Sequence, residues 1–150
     1  MKPIAVTAKL SVAPQPLLSD FQELRRLGFM TIVNNRPDGE DPDQPGSAAE
    51  AQAARAAGLG YVHIPVTSTG MTEGDARLFK QTIEQAPGPV VAHCRSGARS
   101  FYLWVLSIHI PMRSCLPGRP SSASIPTRPE PGLPPIATAL EEITHDRACT

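Results

Sequence analysis

The stretch PGPVVAHCRSGARS, residues 87–100, decides how the chain is read. Pro87-Gly88-Pro89 ends whatever precedes it. Val90-Val91-Ala92-His93 then has the apolar run of a strand buried on both faces, as in a parallel sheet. A loop follows, and a helix is expected to begin near Ser100 and carry Trp104 inward. A loop between a buried strand and a helix N-terminus can turn several backbone N–H groups toward one point. The helix end adds partial positive charge. Gly97 permits backbone conformations that a side chain would block, and Arg95 and Arg99 supply full charges. A thiol opening such a loop ionises easily, because these settings lower a Cys pKa from about 8.5 to roughly 3.5–7.5. An isolated Cys at a strand end reads as a small buried residue. With Gly97, Arg99 and Ser100 at this spacing, Cys94 is expected to be a thiolate nucleophile inside an anion cradle.

Working outward, the same strand–helix grammar repeats. Thr72 caps a helix whose inner face is Ala76, Phe79, Ile83 and Ala86, with Asp75 as its helix-start residue. Tyr61 to Pro65 reads as the strand before it. Ser47 with Glu50 fits a capping box opening an Ala-rich helix that ends at Gly58. Met30 to Asn34 is a further buried strand. Ser19 with Gln22 fits another capping box, with Phe21, Leu24 and Leu27 on one face and Gly28 as the stop. Strands separated by helices imply an α/β fold, with a mainly parallel central sheet flanked by helices. Such sheets bind ligands beyond the carboxyl ends of their strands. Residues 35–40, 66–72 and 94–100 should therefore emerge together on one edge.

The pattern changes after residue 108. Eight of the 17 prolines lie between Pro111 and Pro135. Residues 1–108 are therefore expected to form the domain. Residues 109–150 are expected to form a Pro-rich tail, irregular or disordered apart from a short helix over Ile136 to His145. Lys and Arg together number 14, as do Asp and Glu. A chain of zero net charge has no field to gather nucleic acid or an anionic membrane, so neither is expected as a partner. The apolar run Phe101 to Leu106 is too short to span a bilayer. Met1 to Val6 shows no secretory pattern, which points to the cytoplasm. Three cysteines argue against a disulfide framework. Cys115 and Cys149 are expected to be unpaired thiols. Neither the cysteines nor the four histidines have metal-ligand spacing, so no metal or other cofactor is expected.

The segments HCRSGARS (93–100), NNRPDGE (34–40) and YVHIPV (61–66) together resemble the beta-lactamase hydrolase-like protein, phosphatase-like domain family, whose members are also described as sulfur transferases. The resemblance covers about residues 8–107. It implies a fold like that of the dual-specificity protein tyrosine phosphatases, with Cys94 as nucleophile and Arg99 as anion-binding residue. Two features depart from the phosphatases. They place five residues between the nucleophile and the Arg, whereas four stand here: Arg95, Ser96, Gly97 and Ala98. That spacing is similar to the loop of rhodanese-type sulfurtransferases. The phosphatases also place an acid on the loop after the preceding strand, because an alkoxide leaving group needs a proton. Thr67, Ser68 and Thr69 stand there instead.

Both departures favour sulfur transfer through a Cys94 persulfide, with a persulfide or thiosulfate donor. A phosphatase passing through a phosphocysteine is the alternative, with Asp38 as substitute acid. A non-catalytic anion-binding module with an inert Cys94 is the third reading. In each, Arg95, Ser96, Gly97, Ala98 and Ser100 line the site of a small anion. Ser100 is also a good N-cap. Arg36, Asp38 and Glu40 read first as a turn, with a supporting role in the site as the alternative. His93 reads as a hydrogen-bonded structural histidine that could also orient the loop, and His63 as structural. Phe101 and Trp104 read as core. The oligomeric state is not legible.

Overall fold

The computed structural model describes residues 2–110. Five strands and four helices follow in the order β1 (Ile4–Ala5), β2 (Leu10–Ala13), α1 (Asp20–Arg26), β3 (Thr31–Asn34), α2 (Ser47–Ala56), β4 (Gly60–His63), α3 (Glu73–Gln85), β5 (Val90–His93) and α4 (Ala98–Ile108). The sheet order is β1-β2-β5-β3-β4. β2, β5, β3 and β4 are parallel, and only β1 runs antiparallel, against β2. The α/β class and the mainly parallel sheet flanked by helices are thus as the sequence implied. The Pro-rich tail from Pro111 onward, with Cys115, Cys149 and the expected helix over Ile136 to His145, lies outside the described residues.

Alternation along each strand divides the core in two. Val90 and Ala92 of β5 and Val33 of β3 pack with Phe79 of α3 and Leu103 of α4. Val91 and Ile32 face the other way, onto Phe21, Leu24 and Ala54 of α1 and α2. Fully burying a side chain such as Phe79 or Leu103 stabilises by roughly 1.5–3 kcal/mol, and both are inaccessible here. The neighbouring strands β3 and β5 therefore send their helices to opposite faces of the sheet, which opens a crevice between the two outgoing loops. The registers place Ala13, His93, Asn34 and His63 in one row across the sheet. All four parallel strands end level, with β5 between β2 and β3.

Local signals account for most element ends. Thr72 and Asp75 form the reciprocal capping box of α3. α1 and α2 close with matching bonds at the glycines read as stops. The Phe29 and Gly28 N–H groups donate to the carbonyls of Leu24 and Arg25, and those of Leu59 and Gly58 to Ala54 and Arg55.

Several expectations are corrected. β1 and β2 were not read as strands: β1 is only two residues long, and in β2 Ser11 interrupts the apolar run. Ser19 makes no side-chain cap bond; Asp20 instead accepts from the Leu17 N–H at 2.9 Å. Leu27 is exposed rather than on the inner face of α1. α2 begins after Gly46, and Glu50 turns into the interior rather than back to cap Ser47. α4 starts at Ala98, two residues before the expected Ser100. Phe101 is exposed rather than core, whereas Trp104 is half-buried against the α3–α4 core.

Candidate active site

β5 is buried along its length and leads directly into Cys94, the first residue of the loop before α4. The thiol is inaccessible to solvent, yet it belongs to neither apolar cluster. Its Sγ accepts from the Gly97 N–H at 3.1 Å. Burial pushes the thiol up, but the backbone N–H groups of Ser100, Ser96, Gly97 and Arg99 outweigh burial and hold it below the ordinary thiol value. These donors converge because Gly97 takes a left-handed conformation, φ +94°, as the N-cap of α4. The first turn of the helix then leaves its unpaired N–H groups facing the sulfur. A Cβ on Gly97 would also sit 3.3 Å from the backbone of Ala13. The position therefore demands glycine twice over.

Arg99 comes back over the same sulfur. Its guanidinium is held by the Val66 carbonyl at 3.0 Å and by Glu40 Oε2 at 2.7 Å. Glu40 keeps it charged despite burial, and the neighbouring Cys94 contributes in the same direction. Glu40 also accepts from Arg36 Nε at 2.8 Å. Hydrogen bonding from Arg99, ahead of that from Arg36, lowers the Glu40 carboxyl below the usual range although burial opposes it. Arg36, 4% exposed, reaches Gln15 Oε1 at 3.1 Å with a second nitrogen. Its third nitrogen pairs with Asp41. Arg95, exposed on the loop, approaches the same Asp41 at 3.4 Å. The cations around the loop are thus oriented by carboxylates from the segment following β3.

The structure brings most of the expected residues together. Arg95, Ser96 and Gly97 lie in the loop, Ala98 opens α4, and Arg36 stands behind them. Ser100 lies in the first turn of α4 with its N–H toward Cys94, but its Oγ is buried and has no hydrogen-bond partner among the described residues. It therefore neither caps the helix nor bonds the sulfur through its hydroxyl. His93 is buried, with Nε2 3.0 Å from Glu50 Oε2. His63 contacts the Arg36 carbonyl through Nε2 at 2.9 Å.

Asp38 is placed differently. It accepts from the Ser47 backbone N–H at 2.7 Å and from its hydroxyl at 2.5 Å, at the start of α2. Those two bonds lower its carboxyl, the opposite of what a proton donor needs. Asp75 is committed to Thr72 in the α3 cap, and Thr67, Ser68 and Thr69 are exposed. Sequence reasoning missed Glu50, Gln15 and Tyr61. The available signal was the spacing of Glu50 to Ala54, one turn apart on the buried stripe of α2.

Comparison with known proteins agrees with this architecture. The family described as "Beta-lactamase hydrolase-like protein, phosphatase-like domain" matches residues 4–111. A beta-lactamase hydrolase-like protein of Agrobacterium fabrum is 47% identical over 106 residues, covering 71% of this chain and 25% of the relative. The chain thus spans about a quarter of the length of such curated relatives. A candidate phosphatase of Neisseria meningitidis superposes with a TM-score of 0.64 at 38% identity, over 67% of this chain and 72% of the other. TpbA of P. aeruginosa, crystallised with phosphotyrosine, shares the fold at 16% identity and TM-score 0.54, over 67% and 58% of the two chains.

Proposed function

The chain belongs to the beta-lactamase hydrolase-like protein, phosphatase-like domain family, and from that premise we infer that its domain is a cysteine-thiolate enzyme transferring sulfur through a Cys94 persulfide. The observation that carries the reading is the Cys94 Sγ, buried and facing the N–H groups of Ser96, Gly97, Arg99 and Ser100, with the Arg99 guanidinium beside it. A thiolate needs that setting to persist near neutrality, and an inert core cysteine does not.

The steps are simple. The Cys94 thiolate attacks the outer sulfur of a persulfide or of thiosulfate. The donor S–S bond breaks, and its electron pair leaves on a thiolate or on sulfite. The loop N–H groups and Arg99 hold the anionic Cys94 persulfide. An acceptor thiolate then attacks the outer sulfur, and Cys94 departs as thiolate, ready for another donor. No leaving group in this sequence needs a proton. That suits a site where Asp38 and Asp75 serve helix starts and Glu40 is held ionised between two arginines.

Phosphate-ester hydrolysis is the second reading, favoured by the likeness to the N. meningitidis protein. It uses the same thiolate to form a phosphocysteine. Mass spectrometry of Cys94 after exposure to thiosulfate, to glutathione persulfide or to an aryl phosphate separates the two. An added sulfur atom is expected, with no adduct in Cys94→Ser. A phosphoryl adduct with no sulfur adduct decides for the hydrolase. No adduct from any donor contradicts both and leaves an anion-binding module.

A further inference from the structure

Glu50 is the only buried carboxylate among the described residues, at 1% exposure. Oε1 accepts from Gln15 Nε2 at 2.6 Å. Oε2 accepts from Asn34 Nδ2 at 2.9 Å and from the Tyr61 hydroxyl at 3.0 Å, and faces His93 Nε2 at 3.0 Å. One carboxylate thus gathers a side chain from each of the four parallel strands or the segment just after it. A buried carboxylate is costly unless paired, and an apolar residue would fill the same volume at less cost. Its contacts do not end in the core. Gln15 accepts from Arg36, and its own backbone N–H donates to the Arg95 carbonyl at 3.2 Å. Arg36 leads to Glu40, and Glu40 to Arg99. A second route is covalent, since His93 immediately precedes Cys94. The other ring nitrogen of His93 has no partner among the described residues, so Glu50 supplies the ring's side-chain anchor.

We propose that Glu50 is a positioning residue, fixing His93 and Gln15 so that the Cys94 loop and the Arg99 guanidinium present their donors to the sulfur. The assignment rests on the reading of Cys94 as the reactive thiolate. The titratable groups facing Glu50 are His93 from β5 and Tyr61 from β4; the charged group facing Cys94 is Arg99, backed by Glu40.

The test follows iodoacetamide alkylation of Cys94 against pH, read on the Cys94 peptide by mass spectrometry, in the full chain and in Glu50→Gln. The amide keeps the shape but turns an NH2 group toward donors. The alkylation midpoint is expected to rise by about one pH unit, so that modification below the midpoint slows about tenfold. A Glu50→Gln protein that melts earlier but keeps the wild-type midpoint overturns the proposal, because a purely structural role predicts that result. If Glu50→Gln does not fold, Gln15→Leu, at a half-buried position, is judged by the same midpoint. A wild-type midpoint at the free-cysteine value is a separate result. It contradicts the reading of Cys94 itself and removes this assignment with it.

Discussion

Two loops leave neighbouring strands at the same edge of the sheet and do opposite work. The loop after β5, residues 94–97, is four residues long and offers the sulfur backbone donors that Gly97 allows to converge. The loop after β3, residues 35–46, is longer and offers carboxylates: Glu40 and Asp41 orient Arg36, Arg99 and Arg95. The first turns main-chain donors toward one sulfur. The second holds the cations in place without neutralising the sulfur. Main-chain donors are fixed by the fold and lose little on rearrangement, whereas flexible guanidinium groups need partners to stay aimed.

This contrast sets the order of expected effects. Arg99→Ala removes the charge shared by both loops, and transfer from thiosulfate is expected to fall about 10²–10³-fold, the usual loss for an oxyanion-site donor. A loss below about threefold would show that the main-chain donors suffice. Gly97→Ala attacks the short loop. The left-handed backbone and the Ala13 contact should together cost about 1–3 kcal/mol of stability, read as a lower denaturant midpoint, with loss of the low Cys94 midpoint.

Glu40→Gln attacks the long loop. Transfer is expected to fall about tenfold, or about 1.4 kcal/mol, from a less constrained Arg99. The same variant has a pH signature. Glu40 is lowered in the fold, so its contribution is complete above the unfolded value of about 4.3 and is lost as pH falls through the lower folded value. Acid unfolding curves should therefore depend less on pH in Glu40→Gln than in the wild type. Asp38→Ala is expected to do least to the chemistry. It should remove the carboxylate at the start of α2 at a cost of about 0.5–2 kcal/mol while leaving turnover unchanged. A large fall in turnover at unchanged folding would return Asp38 to the reaction.

The sequence carried the short loop well and the long loop poorly, for a physical reason. Residues 93–100 are contiguous, so strand end, glycine and helix start could be read directly. β3, β4 and β5 have strong β-branched or apolar runs, and α3 has both a cap and a stripe. The partners of Glu50 are scattered over nearly eighty positions, from Gln15 to His93, and meet only when the strands align in register. Its spacing to Ser47 imitates a capping box, and nothing local distinguishes a glutamate turned back to a cap from one turned inward. β1 has only two residues, and β2, as long as the strands that were read, has its apolar run broken by Ser11. Phe101 lies in an apolar helix, where composition suggests core while position places it outward.

The central claim concerns the protonation of one sulfur. The most direct measurement is the difference in thiolate absorbance between wild type and Cys94→Ser, followed from acid to alkaline pH on folded protein. The account predicts a midpoint below the value of about 8.5 for free cysteine. A midpoint at or above that value would contradict it.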